Sequence, residues 1–148
     1  MTPVFEKDCT ILLVEDSEDD VFNFKRALKK AGIANPVQHA ADGQAAIDAL
    51  AASGGLSAMQ ASSVPCVIFL DLKLPYRNGF QVLEWLRSQP RLKDLRVVTL
   101  TGSDEPSDRQ RATSLGVYSY MVKPAGAPEI LTVLGSLSKD QTTPPDPV

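Results

Sequence analysis

The chain is short of the residues that build soft metal and redox sites. It has one histidine, His39, and two cysteines, Cys9 and Cys66. With no C-x-x-C pair and no histidine cluster, neither kind of site is expected. A disulfide framework would use more cysteines in a smaller secreted chain. Each cysteine instead opens an apolar run, so both read as small buried hydrophobes. No apolar run approaches the roughly 18 residues of a membrane span. The opening MTPVFEKD also lacks the apolar stretch of a secretion signal. The expectation is a cytoplasmic protein with no membrane contact. Positive charge is not in excess either. A net charge of −3 speaks against a nucleic-acid partner, whose binding face would be basic. Internal repeats and Walker-type loops are absent.

What is present is an ordinary globular composition, 43% hydrophobic and 22% charged over 148 residues. That length suits one domain, which can bury roughly two-thirds of its unfolded surface. Short apolar runs alternate with amphipathic segments. The runs are Cys9–Val14, Val37–Ala40, Cys66–Leu70, Leu95–Leu100 and Tyr118–Val122. CTILLV and CVIFL are nearly continuous, as in strands buried on both faces of a parallel sheet. Between them Val21, Phe24, Leu28 and Ala31 recur at helical spacing before Gly32. Ala46, Ile47, Leu50 and Ala51 mark a second helix, and Phe80, Leu83 and Leu86 a third, closed by Pro90. Residues 107–115 form a fourth before Gly116, and Pro128–Leu137 a short fifth. Strand–helix repeated in this way predicts an α/β, doubly wound sheet with helices on both faces. Residues 53–63, rich in Gly, Ser and Ala, read as a flexible loop. The polar, proline-rich stretch 139–148 reads as a disordered tail.

In such sheets ligands sit beyond the carboxyl ends of the strands, at a switch point in strand order. The first run ends in Glu15-Asp16, the third in Asp71, the fourth in Thr101-Gly102 and the fifth in Lys123-Pro124. Clustered carboxylates repel one another and need protons or a cation. Mg²⁺, which takes one or two carboxylates plus waters and a phosphate oxygen, resolves that conflict. A carboxylate beside such an ion can attack phosphorus and become an aspartyl phosphate. Lys123 supplies a charge for a phosphoryl dianion, and a Lys-Pro bond can be cis and aim the side chain inward. Thr101 offers a hydroxyl donor. Ser17 to Asp20 read more simply as the capped, acidic start of a helix, with Ser17 and Asp20 in a capping arrangement. Tyr120 reads either as core packing or as a mobile reporter.

The set Glu15-Asp16, Asp71, Thr101 and Lys123-Pro124 resembles the receiver domain of two-component response regulators. LVEDSEDD, ADGQAAIDAL, DLKLPYRNG, LTGS and SYMVKP match that family's pattern in order and spacing. The resemblance covers about residues 8–138, so that residues 1–138 form a single receiver domain. It implies a flavodoxin-like five-stranded parallel sheet in the order 2-1-3-4-5 with five helices. It also implies Mg²⁺-dependent phosphoryl transfer from a sensor histidine kinase to Asp71. Asp16, Asp71 and the backbone carbonyl of Lys73 would ligate the ion, with Glu15 in the outer shell through water. Thr101 and Tyr120 would form the switch pair and Lys123 the phosphoryl anchor. The output would be a contact with a downstream protein, and the family's surface of fourth helix, fifth strand and fifth helix would allow a homodimer. The alternatives are a phosphorelay shuttle and a docking module that takes no phosphate.

The phrases ILLVEDSEDD, RALKKAGIANPV and RSQPRLKDLRVVTLTGSDE are further similar to stand-alone regulators serving bacterial phytochromes. The chain departs from the family at Ala125-Gly126-Ala127-Pro128, where many receivers carry an aromatic directly after Lys-Pro. A haloacid-dehalogenase phosphatase would want a second aspartate where Lys73 stands. A flavodoxin would want a hydroxyl- and glycine-rich loop in place of EDSEDD, which repels phosphate.

Overall fold

The computed structural model describes residues 10–51 and 65–139. The expected loop at 53–63, and all but the first residue of the expected tail, lie outside them. Strands and helices alternate: β1 Ile11–Val14, α1 Glu18–Lys30, β2 Val37–Ala40, α2 Gly43–Ala51, β3 Val67–Leu70, α3 Gly79–Ser88, β4 Arg96–Thr101, α4 Pro106–Ser114, β5 Ser119–Val122 and α5 Ala127–Lys139. The strands form one parallel sheet in the order β2-β1-β3-β4-β5.

The continuous apolar runs become central strands because alternate side chains point to opposite faces. Leu12, Val14, Ile68, Leu70 and Val97 pack with Ile47, Leu50, Leu83 and Leu86 on the α2–α3 side. Ile11, Leu13, Val67, Phe69 and Val98 pack with Phe24, Leu28, Ile130 and Leu134 on the α1–α5 side. Each such burial stabilises by about 1.5–3 kcal/mol. β2 is an edge strand, and Gln38 and His39 are exposed there.

Two expectations change. The fifth helix is not short: α5 has 13 residues, as α1 does. Ile130 and Leu134, both fully buried, recur at helical spacing and hold it to the sheet. Cys66 is not a free buried thiol; it is half-buried and disulfide-bonded. β1–β3 pairing sets the Cys66 N–H on the Thr10 carbonyl at 3.0 Å, so the residues preceding these strands lie side by side.

Among the described residues, no helix is long and apolar enough to cross a membrane.

Candidate functional site

Strand register assembles the site. Val14 pairs with Leu70, so the next residues, Glu15 and Asp71, emerge together at the carboxyl edge. The Asp71 N–H donates to the Val14 carbonyl at 3.1 Å. On the other side Leu70 pairs with Thr99, and Thr101 with Val122. The Lys123 N–H then donates to the Thr101 carbonyl at 2.7 Å. Successive connections leave β1 and β3 in opposite directions, so this edge is the switch point of the sheet.

Glu15 is 1% exposed, Asp71 5% and Thr101 0%, while Asp16 is exposed. Carboxylate oxygens of Glu15, Asp16 and Asp71 all lie within 4.8 Å of one another. The Lys123 ammonium sits among carboxylates, 2.6 Å from Glu15 Oε1, 2.7 Å from Asp20 Oδ2 and 2.9 Å from Asp71 Oδ2. The Lys123–Pro124 peptide is cis. Burial opposes the charge on Lys123, but the bonds to Asp20, Glu15 and Asp71 outweigh it and hold the ammonium well above the ordinary lysine range. Burial also pushes the Glu15 carboxyl up, against the bonds from Lys123 and the Ser17 N–H. A donor set of oxygens alone, with one carboxylate open to solvent, fits a hard divalent cation.

The turn after β3 shapes the other side of Asp71. The Lys73 N–H donates to Asp71 Oδ1 at 3.1 Å. Asn78 caps α3 in a capping box with Gln81, and Gly79 N–H returns to the Leu72 carbonyl at 3.0 Å. A Cβ at position 79 would collide with the Asp71 carbonyl and lie 2.6 Å from Leu72 Cα. Gly79→Ala is therefore expected to lose about 1–3 kcal/mol through overpacking. A urea midpoint unchanged from the parent would contradict that close fit.

Thr101 and Tyr120 do not meet directly in the bonds observed; the Ser103 peptide joins them. Its N–H donates to Thr101 Oγ1 at 3.3 Å, and its carbonyl accepts from the Tyr120 hydroxyl at 2.8 Å. The proton of Thr101 is thus left to donate elsewhere. Burial raises the Tyr120 phenol above its usual range despite the Ser103 bond. The Arg109 guanidinium covers the Tyr120 ring at 4.4 Å and pairs with Asp104 at 2.6 Å.

The fold thus gathers Glu15, Asp16, Asp71, Thr101 and Lys123 at one edge, with Lys73 beside Asp71 and Tyr120 reaching the β4–α4 turn. Ser17 is the expected cap, accepting from the Asp20 N–H at 3.3 Å. The carboxylate of Asp20 is the residue missed: it faces Lys123 rather than solvent alone. His39 was missed as well, its Nε2 lying 2.7 Å from the Glu15 carbonyl. No sequence signal separates Asp20 from Glu18 and Asp19, which share the first turn of α1.

A family model for the response regulator receiver domain matches residues 11–135. The bacteriophytochrome response regulator RtBRR is 37% identical, covering 94% of this chain and 85% of that one, with a TM-score of 0.77. The Mn²⁺-bound form of the response regulator Rcp1, known from Synechocystis, is 30% identical over 93% of this chain and 99% of that one, with a TM-score of 0.70. The probable methanogenesis regulatory protein FilR2 of Methanothrix harundinacea is 37% identical over 114 residues, 77% of this chain and 71% of the relative.

Proposed function

The chain belongs to the response regulator receiver family, and on that premise we propose that Asp71 accepts a phosphoryl group from a histidine of a sensor kinase. The observation that carries this reading is the Lys123 ammonium, 2.9 Å from Asp71 Oδ2 inside a cluster of carboxylates. That ammonium offsets the negative charge gathered at the cluster and stands where an incoming phosphoryl oxygen would need a positive partner. In the transfer, an Asp71 oxygen forms the new P–O bond as the P–N bond of the phosphohistidine breaks. The electron pair stays on the imidazole nitrogen. Lys123 holds one phosphoryl oxygen by charge, and the Thr101 hydroxyl donates to another. Gly102, next to Thr101, places no side chain in the way of that approach.

Asp16, Asp71 and the Lys73 backbone carbonyl would hold Mg²⁺, with Glu15 in the outer shell. When bound, the ion neutralises charge developing on the phosphoryl oxygens. The Mn²⁺-bound form of Rcp1 supports a divalent ion in this class of site. Similarity to RtBRR supports a bacteriophytochrome-type kinase as the donor.

Phosphorylation would recruit the Thr101 hydroxyl and, through the Ser103 peptide, shift the Tyr120 ring. That is a two-state change available to a protein partner. The test is a ¹H–¹⁵N spectrum with Mg²⁺ and beryllofluoride, a phosphoryl mimic. Shifts are expected at Asp71, Thr101, Ser103, Tyr120 and Lys123. A spectrum unchanged at these residues would refute the reading.

A further inference from the structure

Lys123 has a partner that the phosphoryl-transfer scheme does not use. An ammonium has three donors, and here each meets a carboxylate: Glu15, Asp20 and Asp71. Glu15 and Asp71 belong to the group of oxygens that lie within 4.8 Å and fit a divalent ion. Asp20 does not. When a cation and then a phosphoryl group take up Glu15 and Asp71, Asp20 is the carboxylate left to orient the lysine. We infer that Asp20 is a positioning residue that keeps the Lys123 ammonium aimed at Asp71 throughout phosphoryl transfer.

The geometry of α1 fits that task. Ser17 anchors the helix start twice: its N–H donates to Glu15 Oε2 at 3.0 Å, and its hydroxyl accepts from the Asp20 N–H at 3.3 Å. Asp20 therefore projects from a fixed first turn. Its carboxylate meets Lys123 across a sequence separation of 103 residues, on the β5–α5 connection. A lysine stem is flexible, and its rotamer entropy opposes holding it in place. A second fixed acceptor restrains it when the first two are engaged. Asp20 is 37% exposed at its side chain, and a cavity of about 40 Å³ adjoins Asp20, Asn23, Lys123 and Pro124. Water can occupy that space when the carboxylate is removed, so Asp20→Ala is expected to fold.

This inference rests on Asp71 being the phosphoacceptor, and two readouts separate the claims. The first is the rate of phosphorylation by acetyl phosphate with saturating Mg²⁺. Asp20→Ala should slow it roughly ten- to hundredfold, as misplacement of a catalytic group does. Asp20→Asn keeps an acceptor and should recover most of the rate. Mg²⁺ affinity by calorimetry should stay within about twofold in both variants, since Asp20 lies outside the group of oxygens that fits the ion. The second is ¹³C relaxation at Lys123 Cε with Mg²⁺ present. The group should be rigid in the parent and in Asp20→Asn, and mobile in Asp20→Ala. If the parent takes up no phosphoryl group, the role of Asp71 fails, while the relaxation data still decide whether Asp20 restrains Lys123. An unaltered Lys123 order parameter in Asp20→Ala would overturn the inference. So would a faster rate in both variants, which would make Asp20 a competitor for the lysine.

Discussion

Lys123→Met is expected to destabilise the protein by about 3 kcal/mol at neutral pH without Mg²⁺. That is the low end for stripping a buried ion pair of one partner. The low end applies because the side chains of Glu15 and Asp71 are 2% and 6% exposed, whereas Asp20, at 37%, is screened by water. Methionine keeps most of the lysine stem's volume, so the loss is electrostatic rather than a cavity. The pH dependence has a definite sign. Burial already raises the Glu15 carboxyl, and the bond from Lys123 holds it down; without Lys123 it rises further. A group whose folded pKa is raised contributes stability that is present below its unfolded value and lost as pH rises through the folded one. The variant should therefore recover part of the loss as pH falls toward the ordinary glutamate range, and lose it again on returning to pH 7. Mg²⁺ should recover more. A ligand at 100 times its Kd contributes about 2.7 kcal/mol of linkage, and the variant lacks the ammonium that competes for the same oxygens. Urea midpoints at pH 5 and 7, with and without Mg²⁺, measure all of this. Equal midpoints for variant and parent at pH 7 without the ion would show that Lys123 does not hold the cluster together.

How much of this was readable beforehand follows from where each interaction is encoded. β1 and β3 were legible because a strand covered on both faces has no polar positions, and ILLV and VIFL have none. The site was legible to the same degree. Glu15, Asp71, Thr101 and Lys123 stand at the ends of such runs, and a parallel sheet aligns those ends by register. Asp20 was not legible, because Glu18, Asp19 and Asp20 all occupy the first turn of α1. Each would serve the helix dipole equally. Only the angle of α1 over the sheet decides which of the three meets a lysine 103 residues away. The partner of Tyr120 was hidden for a different reason: it is a backbone carbonyl, that of Ser103, and every residue has one. α5 runs to 13 residues because Ile130 and Leu134, fully buried one turn apart, carry its packing against the sheet.

Asp71→Asn is expected to abolish phosphoryl uptake while leaving the fold intact. The amide is isosteric with the carboxylate. Its carbonyl oxygen can still accept from the Lys73 N–H, as Asp71 Oδ1 does at 3.1 Å. It also removes one of the crowded negative charges beside Glu15 and Asp16. What it loses is the anionic oxygen that would attack phosphorus under the proposed reaction, and an amide is far too weak a nucleophile to replace it. The most direct measurement is intact-protein mass after incubation with acetyl phosphate, in Mg²⁺ and in excess chelator, for the parent and for Asp71→Asn. The parent should gain the mass of one phosphoryl group in Mg²⁺ and none in chelator, and the variant none in either. No gain in the parent, or a gain that survives in Asp71→Asn, would contradict Asp71 as the phosphoacceptor.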